Sequence, residues 1–580
     1  MNIMSLILFV ICSLVTVVFS NNNQINTVIV ETPSGLIKGI QNTFPENEVQ
    51  VNEFRGIRYG KAPIGPLRFR KPTPVEKWAD TFDATKFGAA CPQLELDFLP
   101  GYKKLDMSED CLFLNVYVPK VLNPYKKLSV MVWIHGGGLS MGHAHEYDGG
   151  RIATQGDVIV VTINYRLGIF GFFALDHPAA KGNYGVWDQK LALQWIHDNI
   201  AAFGGDPGSV TIFGESAGGW SVNVQAMIPS NKGLFQRAIS QSGAFDFGRT
   251  FTLKPKMLRK YAEDYANKTG CSLDDLYKFT HCLREVSVDE LIDMTNPMKT
   301  NPVDRIPLET TSSGVVDGEL FTDNPFRLLS DKTSDVATFF KSIDYMAGAT
   351  SNEGSLLYMI APPSFQEHFG FNMTEGIPSK VACVGIIAPF VELYLNNNPA
   401  LKTQLCDFYT VDGSVAEQGL RVSELFGDLL ITYPVVRMLE YHSSLGGETW
   451  QYRFSKTSPS PIGGPPPSWF KGSGHADELI FMFSSNPFTS PDASLSEDEK
   501  ELSKHMINYW TSFAKSRNPN EGGEPVKWKQ FTLKDRDYVN LDVPISADTF
   551  MASDSVQFWT ELYKNYEFEA SGGLNEHDEL

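Results

Sequence analysis

The chain has 580 residues, 42% of them hydrophobic, and carries 68 acidic against 49 basic side chains for a formal net charge of −19. An acidic excess of that size excludes nucleic-acid binding and tight adhesion to anionic membranes, both of which need a basic face. No internal repeat and no Pro/Ser-rich linker separates two cores, so residues 21–566 are expected to form one large domain with long insertions.

Residues 1–20 are mostly apolar from Ile3 to Phe19 and end in Val18-Phe19-Ser20, with short side chains at the two positions a signal peptidase reads. This predicts a cleaved secretory signal peptide, with a retained signal anchor as the alternative because no Lys or Arg precedes the apolar run. No later stretch approaches the ~20 apolar residues of a membrane span. Six of the seven Cys remain once Cys12 leaves with the signal. An even number suits an oxidising compartment. Cys91 and Cys111, Cys271 and Cys282, and Cys383 and Cys406 are each near enough in sequence to close a local loop, although spacing alone leaves the connectivity open.

Leu128 to Trp133 and Asp157 to Ile163 are short, β-branched runs bounded by turn residues, as expected of parallel strands buried on both faces. His135-Gly136-Gly137-Gly138 follows the first of them. Glycines there let backbone N–H groups approach a substrate carbonyl, which makes Gly137 and Gly138 candidate oxyanion donors together with Ala217. Gly185 to Ile200 has helical spacing and stops at Gly204-Gly205-Asp206-Pro207, after which Ser209 to Phe213 reads as a strand.

That strand leads into Gly214-Glu215-Ser216-Ala217-Gly218, and a helix-like run continues from Ala217 to Ile228. Strand, G-x-S-x-G and helix in that order describe a nucleophile elbow, in which a serine is held clear of the backbone beside a base. Ser216 is therefore the candidate nucleophile. Asn267-Lys268-Thr269 and Asn372-Met373-Thr374 are N-glycosylation sequons.

In an elbow hydrolase the acid and then the base follow the serine. Glu353 comes just after the strand-like run Ile343 to Ala347, at a strand's carboxyl end where such groups gather. Asp317 in Val316-Asp317-Gly318 competes, although Asp-Gly is chiefly a turn signal. Glu215 is too close to Ser216 in sequence to be the orienting acid. Trp450 to Phe454 reads as another strand, Pro459 to Gly474 as a mobile surface loop, and His475 follows. It is the best-placed base, since His135 belongs to the glycine loop, His197 to a helix and His577 to the tail. Glu497 to Lys515 reads as a helix ended by Asn518-Pro519. Alternating strands and helices predict an open α/β sheet. Residues 567–580 read as a flexible tail ending in His577-Asp578-Glu579-Leu580, which matches the tetrapeptide bound by the endoplasmic reticulum retrieval receptor.

Two longer segments sharpen this reading. Glu109 to Tyr117 (Glu-Asp-Cys-Leu-Phe-Leu-Asn-Val-Tyr) and Phe203-Gly204-Gly205-Asp206 through the elbow resemble the two signatures of the type-B carboxylesterase/lipase family. The likeness extends from Val28 to the Trp559 region and takes in Phe54 to Tyr59 and Asn164 to Gly168. It implies an α/β-hydrolase fold with a large, mostly parallel sheet, the triad Ser216, Glu353 and His475, and an oxyanion hole of Gly137, Gly138 and Ala217. It also implies disulfides Cys91–Cys111 and Cys271–Cys282, and structural ion pairs of Arg55 with Glu109 and Arg166 with Asp206.

Cholinesterases of the family carry a Trp ten residues before the second Cys of the first disulfide loop, to hold quaternary ammonium through cation-π contact. Here that position is Gly101, with Tyr102 beside it, which turns the expectation away from choline esters. With its HDEL ending the chain is most similar to microsomal, liver-type carboxylesterases, and the implied activity is hydrolysis of carboxylic esters without metal or organic cofactor. Acyl transfer and acylglycerol lipolysis use the same triad. A neuroligin-like adhesion role is the alternative in a different class, opposed by the intact Ser216 and His475.

Overall fold

A computed structural model describes residues 26–44, 47–95, 104–120, 126–245, 255–296, 304, 313–395, 397–462, 464–484 and 494–565. The signal segment, Gly101, Tyr102 and the HDEL tail lie outside the described residues. The strands, in chain order, are β1 (Thr27–Thr32), β2 (Gly35–Thr43), β3 (Gln50–Arg58), β4 (Phe82–Asp83), β5 (Phe113–Pro119), β6 (Leu128–Ile134), β7 (Ile159–Ile163), β8 (Ala174–His177) and β9 (Ala180–Lys181). They continue with β10 (Gly205–Glu215), β11 (Arg237–Gln241), β12 (Asp344–Thr350), β13 (Thr449–Phe454), β14 (Asp537–Leu541) and β15 (Ser546–Thr549).

Thirteen of these strands form one sheet in the order β1-β2-β3-β5-β7-β6-β10-β11-β12-β13-β14-β15, with β4 beside β2. From β7 to β14 every pairing is parallel. The flanking pairings β1-β2, β2-β3, β3-β5 and β5-β7 on one side and β14-β15 on the other are antiparallel, while β4 runs parallel to β2. The chain therefore has the mostly parallel α/β sheet expected of it.

The central strands are apolar throughout because both faces are covered, and successive side chains point to opposite faces. Val130, Val132 and Ile134 of β6 enter one core with Ala217, Trp220, Val222 and Val224 of the helix Ala217–Ala226. Met131 and Trp133 enter another, with Met506, Trp510 and Phe513 of the helix Glu497–Ser516. Ile212 and Phe213 divide in the same way. A capping box between Ser496 and Glu499 starts the second helix, satisfying N–H groups that the first turn leaves open.

Three local expectations change. The strand expected from Asp157 begins at Ile159, because Asp157, at φ 53°, is the left-handed cap of the helix Gly150–Gly156. The helix expected to reach Ile228 ends at Ala226. The loop Pro459 to Gly474 is pinned rather than free on the surface: Trp469 and Phe470 are buried, and Trp469 Nε1 donates to Met373 O at 2.8 Å.

Two segments, Ala382–Ile387 and Asp428–Thr432, are π-helical. Pro389 and Pro434 follow two residues beyond each. A proline in a helix offers no N–H to the carbonyl four residues back and pushes it aside, which a wider turn absorbs.

The expected ion pairs are replaced by others. Arg55 Nε donates to Glu53 Oε2 at 2.9 Å, its neighbour along β3. Glu109 instead accepts from Arg68 Nε and Nη2 at 2.7 and 2.6 Å, and the same guanidinium donates to the carbonyls of Arg284 and Val286 at 2.9 and 2.7 Å. Arg166 pairs with Asp188, Nε and Nη2 donating at 2.7 Å each, while Asp206 accepts from Gly208 N in its own turn. Side-chain direction decides these pairings, and strand register is not visible along the chain. Arg166 and Asp188 are both buried, so removing one charge strands the other. We expect Asp188→Asn to lower stability by ~3–5 kcal/mol in chemical denaturation, with much of it regained in Arg166→Met/Asp188→Leu. A loss under ~1 kcal/mol would mean that water screens the guanidinium.

Candidate active site

β10 ends at Glu215, and Ser216 turns the chain into the helix Ala217–Ala226 at φ 58°, ψ −126°. Such a backbone costs roughly 1–3 kcal/mol for a residue with a side chain and persists only where its surroundings enforce it. Ser216 N donates to Gln241 O and Trp220 N to Ser216 O, each at 2.9 Å. The flanking glycines have a steric cause: a Cβ on Gly214 or on Gly218 would run into the carbonyl oxygen of Ile134 at the end of β6.

The acid and base arrive on loops after β12 and β13. Glu353 opens a 3₁₀ turn, Glu353–Ser355, three residues past β12. His475 lies on the loop after β13, and the two loops are joined: Asn352 N donates to Ser473 O at 2.9 Å, Ser473 N to Ser351 Oγ at 2.8 Å and His475 N to Ser355 Oγ at 2.7 Å. His475 Nδ1 meets Glu353 Oε2 at 2.6 Å. The other carboxylate oxygen accepts from Ser242 Oγ and Thr350 N, both at 2.6 Å. Glu353 is 1% exposed and His475 5%, whereas Ser216 is half-buried and open to a reactant.

His475 Nε2, its other ring nitrogen, lies 3.1 Å from Glu215 Oε1, without hydrogen-bond alignment. The Ser216 hydroxyl makes no hydrogen bond among the described residues, a looseness common before a substrate is bound. Glu478 is buried nearby, its Oε1 accepting from Gln241 Nε2 at 3.1 Å. Three buried carboxylates thus surround one imidazole. Burial, together with the charges of Glu478 and Glu353, raises Glu215 well above the usual carboxylate range. Burial and the Glu353 charge push Glu478 up to about 7. Glu353 is lowered: burial opposes ionisation, but the charge and hydrogen bond of His475 and the bonds from Ser242 and Thr350 outweigh it. Burial lowers His475, yet Glu215, Glu353 and Glu478 together drive it upward. The four groups titrate together, each carboxylate that ionises favouring the imidazolium and each that takes a proton relieving it.

The glycine loop lies against the elbow, since a Cβ on Gly136 would sit 3.1 Å from Ser216 Cβ. Gly137 and Gly138 have φ of 103° and 60°. Among the described residues no protein acceptor takes the N–H of Gly137, Gly138 or Ala217. His135 is stacked on Tyr165 and buried, with burial holding it neutral, and Asp317 accepts from the N–H groups of Glu319, Leu320 and Phe321 as a turn residue. Neither belongs to the site.

Sequence reasoning missed Ser242, Ser355 and Glu478, as well as the position of Glu215 at the second imidazole nitrogen. The only local signal was the polar run Gln241-Ser242 at the end of β11. Cys91–Cys111, Cys271–Cys282 and Cys383–Cys406 are bonded. Asn267 and Asn372 are exposed, and Thr374 Oγ1 donates to Asn372 Oδ1 at 2.8 Å. Among the described residues no group of three or more His, Cys, Asp or Glu side chains is placed to hold a metal ion, and no helix is long and apolar enough to cross a membrane.

A parallel sheet with a strained serine at one strand end and a carboxylate–imidazole pair on loops after two later strands defines the class, a serine hydrolase of the α/β-hydrolase fold. Comparison with known proteins narrows it. The model of the carboxylesterase family matches residues 26–559. The chain is 36% identical over 548 residues to the medium-chain fatty acyl-CoA hydrolase precursor of Anas platyrhynchos, covering 92% of each chain. It is 35% identical over 550 residues to the liver carboxylesterase of Sus scrofa, covering 92% of this chain and 93% of the relative. Against liver carboxylesterase 1 of Mus musculus it is 35% identical over 578 residues, covering 95% and 96%. The chain belongs to the carboxylesterase family and is a carboxylic ester hydrolase.

His475 must be neutral to accept a proton, so kcat/KM is expected to fall as pH drops through its pKa. The charge of Glu215 is one of the causes that raise His475, so removing that carboxylate lowers the pKa. Glu215→Gln should therefore move the acidic limb of the kcat/KM profile to lower pH, and an unmoved limb would mean that Glu215 does not act on His475.

Proposed function

We propose that Ser216, Glu353 and His475 hydrolyse carboxylic esters through an acyl-enzyme. The observation that carries this reading is the buried 2.6 Å contact between Glu353 and His475 Nδ1, on the loop system beside the strained serine. Ser216 Oγ attacks the ester carbon while His475 Nε2 accepts its proton. Negative charge gathers on the former carbonyl oxygen, where the N–H groups of Gly137, Gly138 and Ala217 stabilise it by roughly 3 kcal/mol per donor. His475 then gives its proton to the departing alcohol. A water molecule attacks the Ser216 ester by the same route, releasing the carboxylate. Glu353 fixes the imidazole tautomer and balances the imidazolium, and Ser242 holds Glu353.

A second alcohol in place of water would give transesterification from the same acyl-enzyme, and product analysis with added alcohol separates the two outcomes. The fluorophosphonate test decides the main reading: wild type should be modified at Ser216, while Ser216→Ala should be unlabelled and lose activity on the order of 10⁵- to 10⁶-fold. A folded wild type that resists labelling would defeat it.

We place the enzyme in the endoplasmic reticulum lumen, delivered by the residue 1–20 signal, glycosylated at Asn267 and Asn372, and retrieved through His577–Leu580. The pairing of a leader with an HDEL ending supports this reading. Deleting His577–Leu580 should move the protein from cells into the medium. Continued retention would count against the tetrapeptide as its address.

A further inference from the structure

Gln93 lies two residues past Cys91 and is 4% exposed. Its amide brackets one residue from both sides: Oε1 accepts from Gly142 N at 2.6 Å, and Nε2 donates to Gly142 O at 3.0 Å. Nε2 also donates to Cys91 O at 3.0 Å, in the segment closed by the Cys91–Cys111 bond.

Gly142 is where the glycine loop closes. Ser140 N and Met141 N both donate to Gly137 O at 3.0 Å, folding the loop onto itself. Gly142, at φ 109°, then passes so near the His135 ring and the Gly136 carbonyl that a Cβ would not fit. Gly136 to Met141 are thus suspended between two anchors. One is the end of β6, fixed by pairing with β7 and β10. The other is Gly142, and the side chain of Gln93 holds both of its backbone groups. A lateral tie from Gly168 N to Leu139 O at 2.8 Å steadies the loop's middle.

We propose that Gln93 is a positioning residue for the oxyanion hole, fixing Gly142 and through it the direction of the Gly137 and Gly138 N–H groups. The inference rests on the oxyanion-hole reading given under the proposed function. A side-chain amide carries an acceptor oxygen and an NH2 donor on one planar group, so it can accept from a backbone N–H and donate to the carbonyl of the same residue. A carboxylate of equal size keeps the acceptor, loses the donors and sets its charge against two carbonyl oxygens. Donors aimed at a developing oxyanion act mainly in the transition state, so a small change in their direction reads out in kcat more than in KM.

The test uses Gln93→Met and Gln93→Glu in the full chain, with p-nitrophenyl butyrate as substrate and an aryl trifluoromethyl ketone as probe. Ser216 adds to the ketone carbon, its proton passing to His475, and the adduct presents an oxyanion to the glycine loop. We expect kcat to fall about 10- to 100-fold with KM within about twofold, and the ketone inhibition constant to rise by the same factor, at a nearly unchanged melting temperature.

Unchanged kcat and ketone affinity would overturn the proposal, as would a kcat loss without the matching loss of ketone affinity. If Gln93→Met does not fold, the same comparison on Gln93→Glu decides. If neither folds, Gln93 is a folding residue and the proposal falls. Gly137→Ala is the control for the underlying reading: if it weakens the ketone and the Gln93 variants do not, only the role of Gln93 fails. If it leaves the ketone unaffected, the oxyanion-hole assignment itself fails.

Discussion

Everything at this site depends on the close passage of the elbow over the end of β6. The Ile134 carbonyl occupies the space that a side chain on Gly214 or Gly218 would need, so the helix Ala217–Ala226 starts in contact with the sheet. That contact leaves Ser216 no relaxed backbone, and its side chain stands clear of both strand and helix. The same passage brings the glycine loop, which leaves β6 directly after Ile134, against the serine. One steric constraint therefore places Ser216 and the glycine loop relative to each other before any side-chain chemistry is considered.

Charge is the second constraint. Around His475 the structure buries Glu215, Glu353 and Glu478 without a Lys or Arg among their recorded polar partners, so the imidazole is the cluster's cationic group. Full ionisation of three buried carboxylates beside one imidazole is prohibitive. The hydrogen bonds settle which one stays charged. Glu353 receives Ser242, Thr350 and His475, while Glu215 Oε1 and Glu478 Oε2 have no hydrogen-bond partner. Glu353 is thereby kept as the anion that balances an imidazolium, and the other two carry the proton demand.

The legible parts of this architecture were those dictated by neighbours in sequence. Val130, Val132 and Ile134 alternate with Met131 and Trp133 between two cores, so β6 announces itself as a strand covered on both faces. The elbow is legible because its glycines sit at fixed offsets from the serine, although the carbonyl they make room for belongs to Ile134 on another strand. Partners that depend on register and side-chain direction were not legible. Arg55 turns to Glu53 although Glu109 was the expected partner, and Glu109 is met by Arg68, 41 residues away. Ser242, Ser355, Glu478 and Gln93 are single polar residues without periodicity, and only the fold brings them to Glu353, His475 or Gly142. Glu215 was set aside as too near Ser216 to orient the base. It does sit at the other imidazole nitrogen, a position that strand geometry alone reveals.

The division of labour along the sheet follows from these two kinds of information. Strand ends supply coarse positions: Ser216 follows β10 directly, Glu353 comes three residues after β12, and His475 comes only after a long excursion from β13. A loop of that length has no intrinsic reason to return to one place. It returns because its backbone is bonded to the acid turn at Ser351, Asn352 and Ser355 and because Trp469 and Phe470 are buried on the way. The helix Val415–Gly427 presses on the same turn, its Ser423 carbonyl filling the space beside Gly354. Glu353 and His475 are thus set by ties between loops, and the strands set only the frame.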